Sequence, residues 1–284
     1  MEIKNSEIIR VKKYSGELVP FDQQKFRISL TKSGASMEAV DDIVQSILPI
    51  IYDGIHTKEL YRLAHTQLRK RASSFAARYS LKRALKDLGP GGFHFEKWTA
   101  RIFEYMGYET LTGEILQGRA VSHEIDVLAL KEEALTIVEC KFKNSTEAKT
   151  SVTTPMYFLS RLKDLESLTF PYFNKNCPIT SGWMVTNAYF TTDSIDFAAH
   201  YGLNLLSWDY PVGESIKNRV DFAGLYPLTC LTNLTKNEKK SLLASGCILV
   251  KDLVKNAHVL DNLRLSKSKE RKVLEEAQAL IWNT

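Results

Sequence analysis

Residues 123–143 read HEIDVLALKEEALTIVECKFK, and the fold turns on how this stretch is paired. Two runs rich in apolar and β-branched residues, 123–130 and 135–142, flank Lys131-Glu132-Glu133-Ala134, the pattern of two strands joined by a tight turn. With the turn centred between Glu132 and Glu133, paired residue numbers sum to 265. Asp126 then faces Glu139, and Glu124 faces Lys141. Cross-strand partners have Cβ atoms about 5 Å apart, and Lys141, two residues beyond Glu139, points to the same side. Two carboxylates and an ammonium therefore share a small volume among apolar neighbours: Ile125, Val127, Leu128, Ile137, Val138 and Cys140. His123 is expected on the opposite face from Asp126, as a core or surface residue.

Ionised groups so placed need compensation, because two close carboxylates otherwise titrate as a coupled pair with one pKa raised. A hard divalent cation, Mg²⁺ or Mn²⁺, is the simplest compensator. Asp126, Glu139 and the backbone carbonyl of Cys140 would ligate it and leave positions for water and a phosphate. Lys141 would orient or deprotonate the attacking water and offset charge in the transition state. A structural ion-pair cluster is the alternative reading of the same residues.

Outward from the hairpin, alternating elements imply an α/β core with a mixed sheet covered on both faces. Phe95, Trp98, Ile102, Phe103 and Met106 form an apolar stripe at helical spacing, ended by Gly107. A helix over 150–167, a strand at 182–186, a helix at 192–201 and a strand at 203–207 follow. Gly89-Pro90-Gly91-Gly92 marks a boundary on the N-terminal side. Before it, Ile8-Ile9-Arg10-Val11, a turn at Ser15-Gly16 and Leu18-Val19 read as a β-hairpin. Helices over 22–34, 37–52, 57–72 and 74–87 then form a bundle, with Asp22 and Thr57 as N-caps. From Pro211 the chain reads as helical, with a capping box at Thr235–Glu238. Two short helices around Gly246 faintly suggest a helix-hairpin-helix, a packing or assembly role being preferred, and a last helix spans 266–282. The expected domains are 1–90, 91–210 and 211–284.

Charge divides along the same lines: net +6 over 1–90, −5 over 91–210 and +4 over 211–284, within a total of +5. Basic modules suit phosphate-bearing partners, and an acidic segment with clustered carboxylates suits a divalent cation. Lys12, Lys13 and Lys25 lie on consecutive hairpin and helix elements, as a triphosphate site requires, although no P-loop GxxxxGK[ST] occurs. The four cysteines form no CxxC pair and no zinc spacing. No stretch approaches the roughly 18 apolar residues of a membrane span, so the expectation is a soluble, cytoplasmic protein with no membrane partner.

Residues 7–90 resemble the ATP-cone, the nucleotide-sensing module of ribonucleotide reductases, through VKKYSGELVPFDQQKF, GIHTKEL and AARYSLKRAL. That resemblance implies a site for ATP or dATP lined by Val11, Lys13, Lys25 and Thr57. Tyr14 stands where the family has Arg, with Lys12 a substitute. Residues 92–210 resemble the Mrr-type branch of the PD-(D/E)xK nucleases. Asp126 matches the metal-binding Asp, Glu139-x-Lys141 the (D/E)xK pair, and Glu96 the acidic residue on the first helix. The proline usual before that Asp is absent. Together the resemblances imply a metal-dependent endodeoxyribonuclease regulated by ATP or dATP, acting on DNA as a homo-oligomer. The alternative is a nucleotide-responsive nucleic-acid-binding regulator with an inactive nuclease core, and less favoured still is an N-terminal module that serves only for docking.

Overall fold

The computed structural model describes residues 9–13, 15–145 and 147–281. Ile8, Tyr14 and residue 282, which entered the expectations above, lie outside the described residues. The chain divides into two compact units. One runs to Ser80 and includes Leu231–Leu234; the other holds Leu81–Cys230 and resumes at Thr235.

In the first unit, β1 (Arg10–Lys12) pairs antiparallel with β2 (Leu18–Pro20), as expected. Asp22 caps α1 (Gln23–Thr31) by accepting from the Lys25 backbone N–H at 2.9 Å, and Ser36 caps α2 (Met37–Ile47). A third strand, β3 (Ile55–His56), lies parallel to β1 where the sequence pattern predicts only a turn. It changes the start of α3 (Thr57–Arg71): pairing holds His56 extended, so His56 is the N-cap and Thr57 the first helical residue. The Thr57 hydroxyl instead donates to the Lys12 carbonyl at 3.1 Å. The helix expected over 74–87 is two. It runs as α4 (Ser73–Tyr79), breaks at Ser80, whose hydroxyl donates back to Ala77 O, and resumes in the second unit as α5 (Leu81–Lys86). Val40, Ile43, Val44 and Ile47 of α2 join Leu30, Ile55, Leu60 and Leu68 in one core, the period-3.6 face that the sequence displays. Arg69 donates to Thr232 O at 3.1 Å, within this unit.

The second unit opens with α5 and α6 (Phe93–Tyr105), followed by a mixed sheet. Its strands are β4 (Glu109–Gln117), β5 (Ser122–Lys131), β6 (Ala134–Cys140), β8 (Thr169–Tyr172), β9 (Lys175–Val185) and β11 (Asn204–Leu206); β7 (Lys149–Thr150) and β10 (Tyr189–Phe190) form a separate parallel pair. The order is β11-β9-β6-β5-β4, antiparallel through β4-β5-β6 and parallel from β6 to β11, with β8 antiparallel to β9. The hairpin register is the expected one: Val127 faces Val138 and Leu128 faces Ile137, across a turn where Glu132 takes φ +58°. Strands β4, β7, β8 and β10 had not been anticipated, and β6 stops at Cys140 instead of Phe142.

Helix α6 packs on β4, β5 and β6, whereas α7 (Thr153–Leu165) packs on β9 and on α8 (Thr192–Tyr201), which also contacts β11. Phe158, Leu162 and Leu165 of α7 enter the core with Leu128, Leu130, Leu135, Ile137 and Ile179. A Cβ at Gly182 would stand 2.9 Å from the Phe158 ring, so only glycine admits α7 this close. The described residues beyond Pro211 are largely helical, as expected: α9 (Ile216–Ala223), α10 (Lys236–Ala244) behind the expected Thr235/Glu238 capping box, α11 (Val250–Lys255) and α12 (Lys267–Ile281). Most of this segment falls in the same compact unit as the central sheet. Among the described residues, no helix is long and apolar enough to cross a membrane.

Candidate active site

Asp126 sits where β5 loses its neighbours on both sides. The β5–β6 ladder ends at Val127↔Val138, and the β4–β5 ladder skips Asp126 opposite Gly113, whose φ of +73° bends the edge strand. A non-glycine residue at that φ would be strained. In place of a ladder bond, Asp126 Oδ2 accepts the Cys140 backbone N–H at 2.6 Å, which brings the Cys140 peptide against the carboxylate. Glu139, at the end of β6, is buried with a side chain 6% exposed. Its Oε1 pairs with Lys141 Nζ, and its Oε2 pairs with Arg161 Nη1 from α7. The other terminal nitrogen of Arg161 donates to the Glu124 backbone carbonyl.

The structure thus pairs Glu139 with Lys141 and sets Asp126 against the Cys140 amide, with Glu96 within electrostatic reach. Burial, then the charges of Glu124 and Glu139, raise the Glu96 carboxyl. Burial, then the charge of Glu139, push Asp126 up to about 7. The carboxylates of Glu96, Asp126 and Glu139 supply hard oxygen donors of the kind a divalent cation takes. Among the described residues no group of three or more His, Cys, Asp and Glu side chains is arranged to hold a metal, so Asp126 and Glu139 would need the Cys140 carbonyl as third donor.

Arg161 was not anticipated. Its only sequence signal is an arginine beside the apolar stripe Phe158, Leu162 and Leu165. Two further residues, Thr186 and Asn187, follow β9 and fix the loop that carries Lys141. The Thr186 hydroxyl donates to Lys141 O at 2.7 Å, while Asn187 accepts from Lys143 N and donates to Lys143 O at 2.7 and 2.9 Å. His123 stands apart from this site: Nε2 meets Asp164 Oδ2 at 2.8 Å, and Asp164 also accepts the Ala120 and Val121 amides, tying the β4–β5 turn to α7.

In the N-terminal unit the five residues expected around a nucleotide are on the hairpin and the helix starts. Val11 is buried in the core, in the strand that pairs with both β2 and β3. Lys12 is half-buried, and its carbonyl holds Thr57. Lys13 pairs with Glu17 at 2.9 Å, and Lys25 with Asp22 at 3.5 Å, both on the surface. Arg10 grips Asp53 through three hydrogen bonds of 2.5–2.9 Å, and these hold the Asp53 carboxyl down at about 2.

Comparison with known families matches residues 9–88 to the ATP cone domain, 91–210 to the Mrr catalytic family of restriction endonucleases and 226–281 to the AF1548-like C-terminal family. An Archaeoglobus fulgidus protein described as uncharacterized is 33% identical over 183 residues, covering 64% of this chain and 99% of its own. Among solved structures, the protein of unknown function AF1548 aligns with a TM-score of 0.54 at 30% identity, over 68% of this chain and 99% of its own. The MspJI restriction endonuclease in complex with a 27-mer oligonucleotide gives a TM-score of 0.36 at 13% identity, over 73% of this chain and 43% of its own.

Proposed function

Because the chain belongs to the AF1548-like family and joins an ATP-cone domain to an Mrr-type restriction-endonuclease domain, we propose that it is a metal-dependent endodeoxyribonuclease whose activity responds to ATP or dATP. The observation that carries this reading is the gathering of Asp126, Glu139 and Lys141 where the β5–β6 ladder ends, with Glu139 ion-paired to Lys141. Asp126, Glu139 and the Cys140 carbonyl would hold Mg²⁺ or Mn²⁺, with Glu96 adding negative charge. The bound cation supplies a Lewis acid for the phosphate and a water of lowered pKa. Lys141, anchored by Glu139, orients that water and offsets charge on the phosphate. In the N-terminal domain Lys12, Lys13 and Lys25 meet the triphosphate, with Val11 and Thr57 shaping the site. The domains are 1–90, 91–210 and 211–284, and the working form is a homo-oligomer on DNA.

Glu139 has both oxygens engaged by cations. That favours, as a second reading, a nucleotide-responsive regulator whose nuclease core binds nucleic acid without cutting it. Full-length protein incubated with supercoiled and linear DNA in Mg²⁺, Mn²⁺ or EDTA, with and without ATP or dATP, separates the two. Metal-dependent cleavage lost in Asp126→Ala is the expected result. Retention of DNA with no cleavage under any condition selects the regulator. A cleavage rate that ignores a nucleotide shown to bind rejects the regulatory half.

A further inference from the structure

We propose that Arg161 is a positioning residue that fixes the two metal-binding strands relative to each other, an inference that rests on the nuclease reading. At Asp126 and Glu139 the backbone ladder has already stopped, so ordinary strand pairing does not set the separation of the two carboxylates. Two other links span the gap. One is the Asp126 bond to Cys140 N. The other is Arg161, which reaches from α7 to touch Glu139 Oε2 on β6 with one nitrogen and Glu124 O on β5 with another.

The choice of acceptors is informative. A guanidinium whose sole task was to neutralise Glu139 would bind both carboxylate oxygens in a fork. Arg161 leaves Oε1 to Lys141 and takes a carbonyl two residues before Asp126 instead. Its side chain is 11% exposed, and its helix is anchored by Phe158, Leu162 and Leu165 in the core. The staple is therefore rigid at its base and bidentate at its tip. Lysine at this position keeps the charge but, as a single point donor on a flexible stem, cannot hold both acceptors in this geometry.

The test compares wild-type full-length protein with Arg161→Lys and Arg161→Gln. Each is measured for Mn²⁺ affinity by calorimetry and electron paramagnetic resonance, and for melting temperature without metal. Residues that orient metal ligands typically change affinity about 10- to 100-fold when removed. Arg161→Lys is expected to bind Mn²⁺ that much more weakly, so that half-maximal cleavage needs correspondingly more Mn²⁺. A purely structural arginine would lower the melting temperature and leave Mn²⁺ affinity unchanged, which overturns the inference. An arginine that merely competes with the metal would give tighter Mn²⁺ binding in Arg161→Gln, which also overturns it. If Arg161→Lys does not fold, Arg161→Gln, which keeps one amide donor, carries the same comparison. Wild-type protein that binds no Mn²⁺ brings down the nuclease reading itself, and this inference with it.

Discussion

The two charged regions of this molecule hold their ions in opposite ways. Lys13 and Lys25 of the N-terminal hairpin and helix are solvated, and each leans on an acidic neighbour three or four residues away: Lys13 on Glu17 and Lys25 on Asp22. Exposed pairs of this kind contribute about 0–1 kcal/mol and can be rearranged at little cost. Glu139 is buried between Lys141 and Arg161, one from its own strand end and one from α7. There each charge needs its partner, and losing one leaves the other stranded. The contrast is that between a surface free to release its lysines to a ligand and a site whose charges are fixed before any ligand arrives.

The sharpest way to break that contrast is at the fixed site. Asp126→Ala, Glu139→Ala and Lys141→Ala should each abolish metal-dependent DNA cleavage while circular dichroism shows the fold intact. Undiminished cleavage by Asp126→Ala, from a preparation free of contaminating nuclease, rejects the site.

Next in size is a dependence of stability on pH. The folded-state pKa of Asp126 is raised, to about 7, so the folded protein keeps a proton that the unfolded chain has already released. Stability therefore falls as pH rises from about 4 to 7, and the penalty is constant above that window. Asp126→Asn removes the penalty. Without metal it should melt higher than wild type at pH 8, by about 2–4 °C for each ~1 kcal/mol relieved, and the advantage should shrink towards pH 4. A melting difference that does not vary with pH would show that burial and the Glu139 charge do not raise the Asp126 carboxyl.

The smallest effects belong to the solvated region. Lys13→Ala should shift the melting temperature of the nucleotide-free protein by no more than about 1 kcal/mol's worth. ATP or dATP at a hundredfold excess over its dissociation constant should stabilise the wild-type protein by about 2.7 kcal/mol, and Lys13→Ala or Lys25→Ala should weaken that gain. Calorimetry with no heat at millimolar adenine nucleotide would remove the ligand from this region.

The legibility of the sequence follows the same divide between local and distant determinants. The β5–β6 register could be read because two apolar runs around a two-residue turn fix it locally, and the positions of Asp126 and Glu139 at its end follow from it. Strand β4 was missed because it is an edge strand. Its residues alternate without a buried face, Leu116 being fully buried while Leu111 and Ile115 face solvent. Thr57 reads as a cap in the sequence because the two-residue strand before it is too short to show a period. Arg161 could not be placed at all: its role depends on where α7 docks, which neither its neighbours nor its spacing records.

The hairpin that carries the carboxylates is also the first part of the site able to form. A two-residue turn lets β5 and β6 meet on a microsecond scale. The groups that complete the site come from farther along the chain: Arg161 lies 22 residues beyond Glu139, Thr186 45 beyond Lys141 and Asn187 44 beyond Lys143. Contacts so distant in sequence form only after loop closure has been overcome. During synthesis the acidic strand pair, with Lys141, thus emerges before Arg161 and its supporting loop. The arrangement around Glu139 and Lys141 is complete only when the chain has folded through Asn187, so a truncated or partly folded product carries the acidic residues without the contacts that hold them.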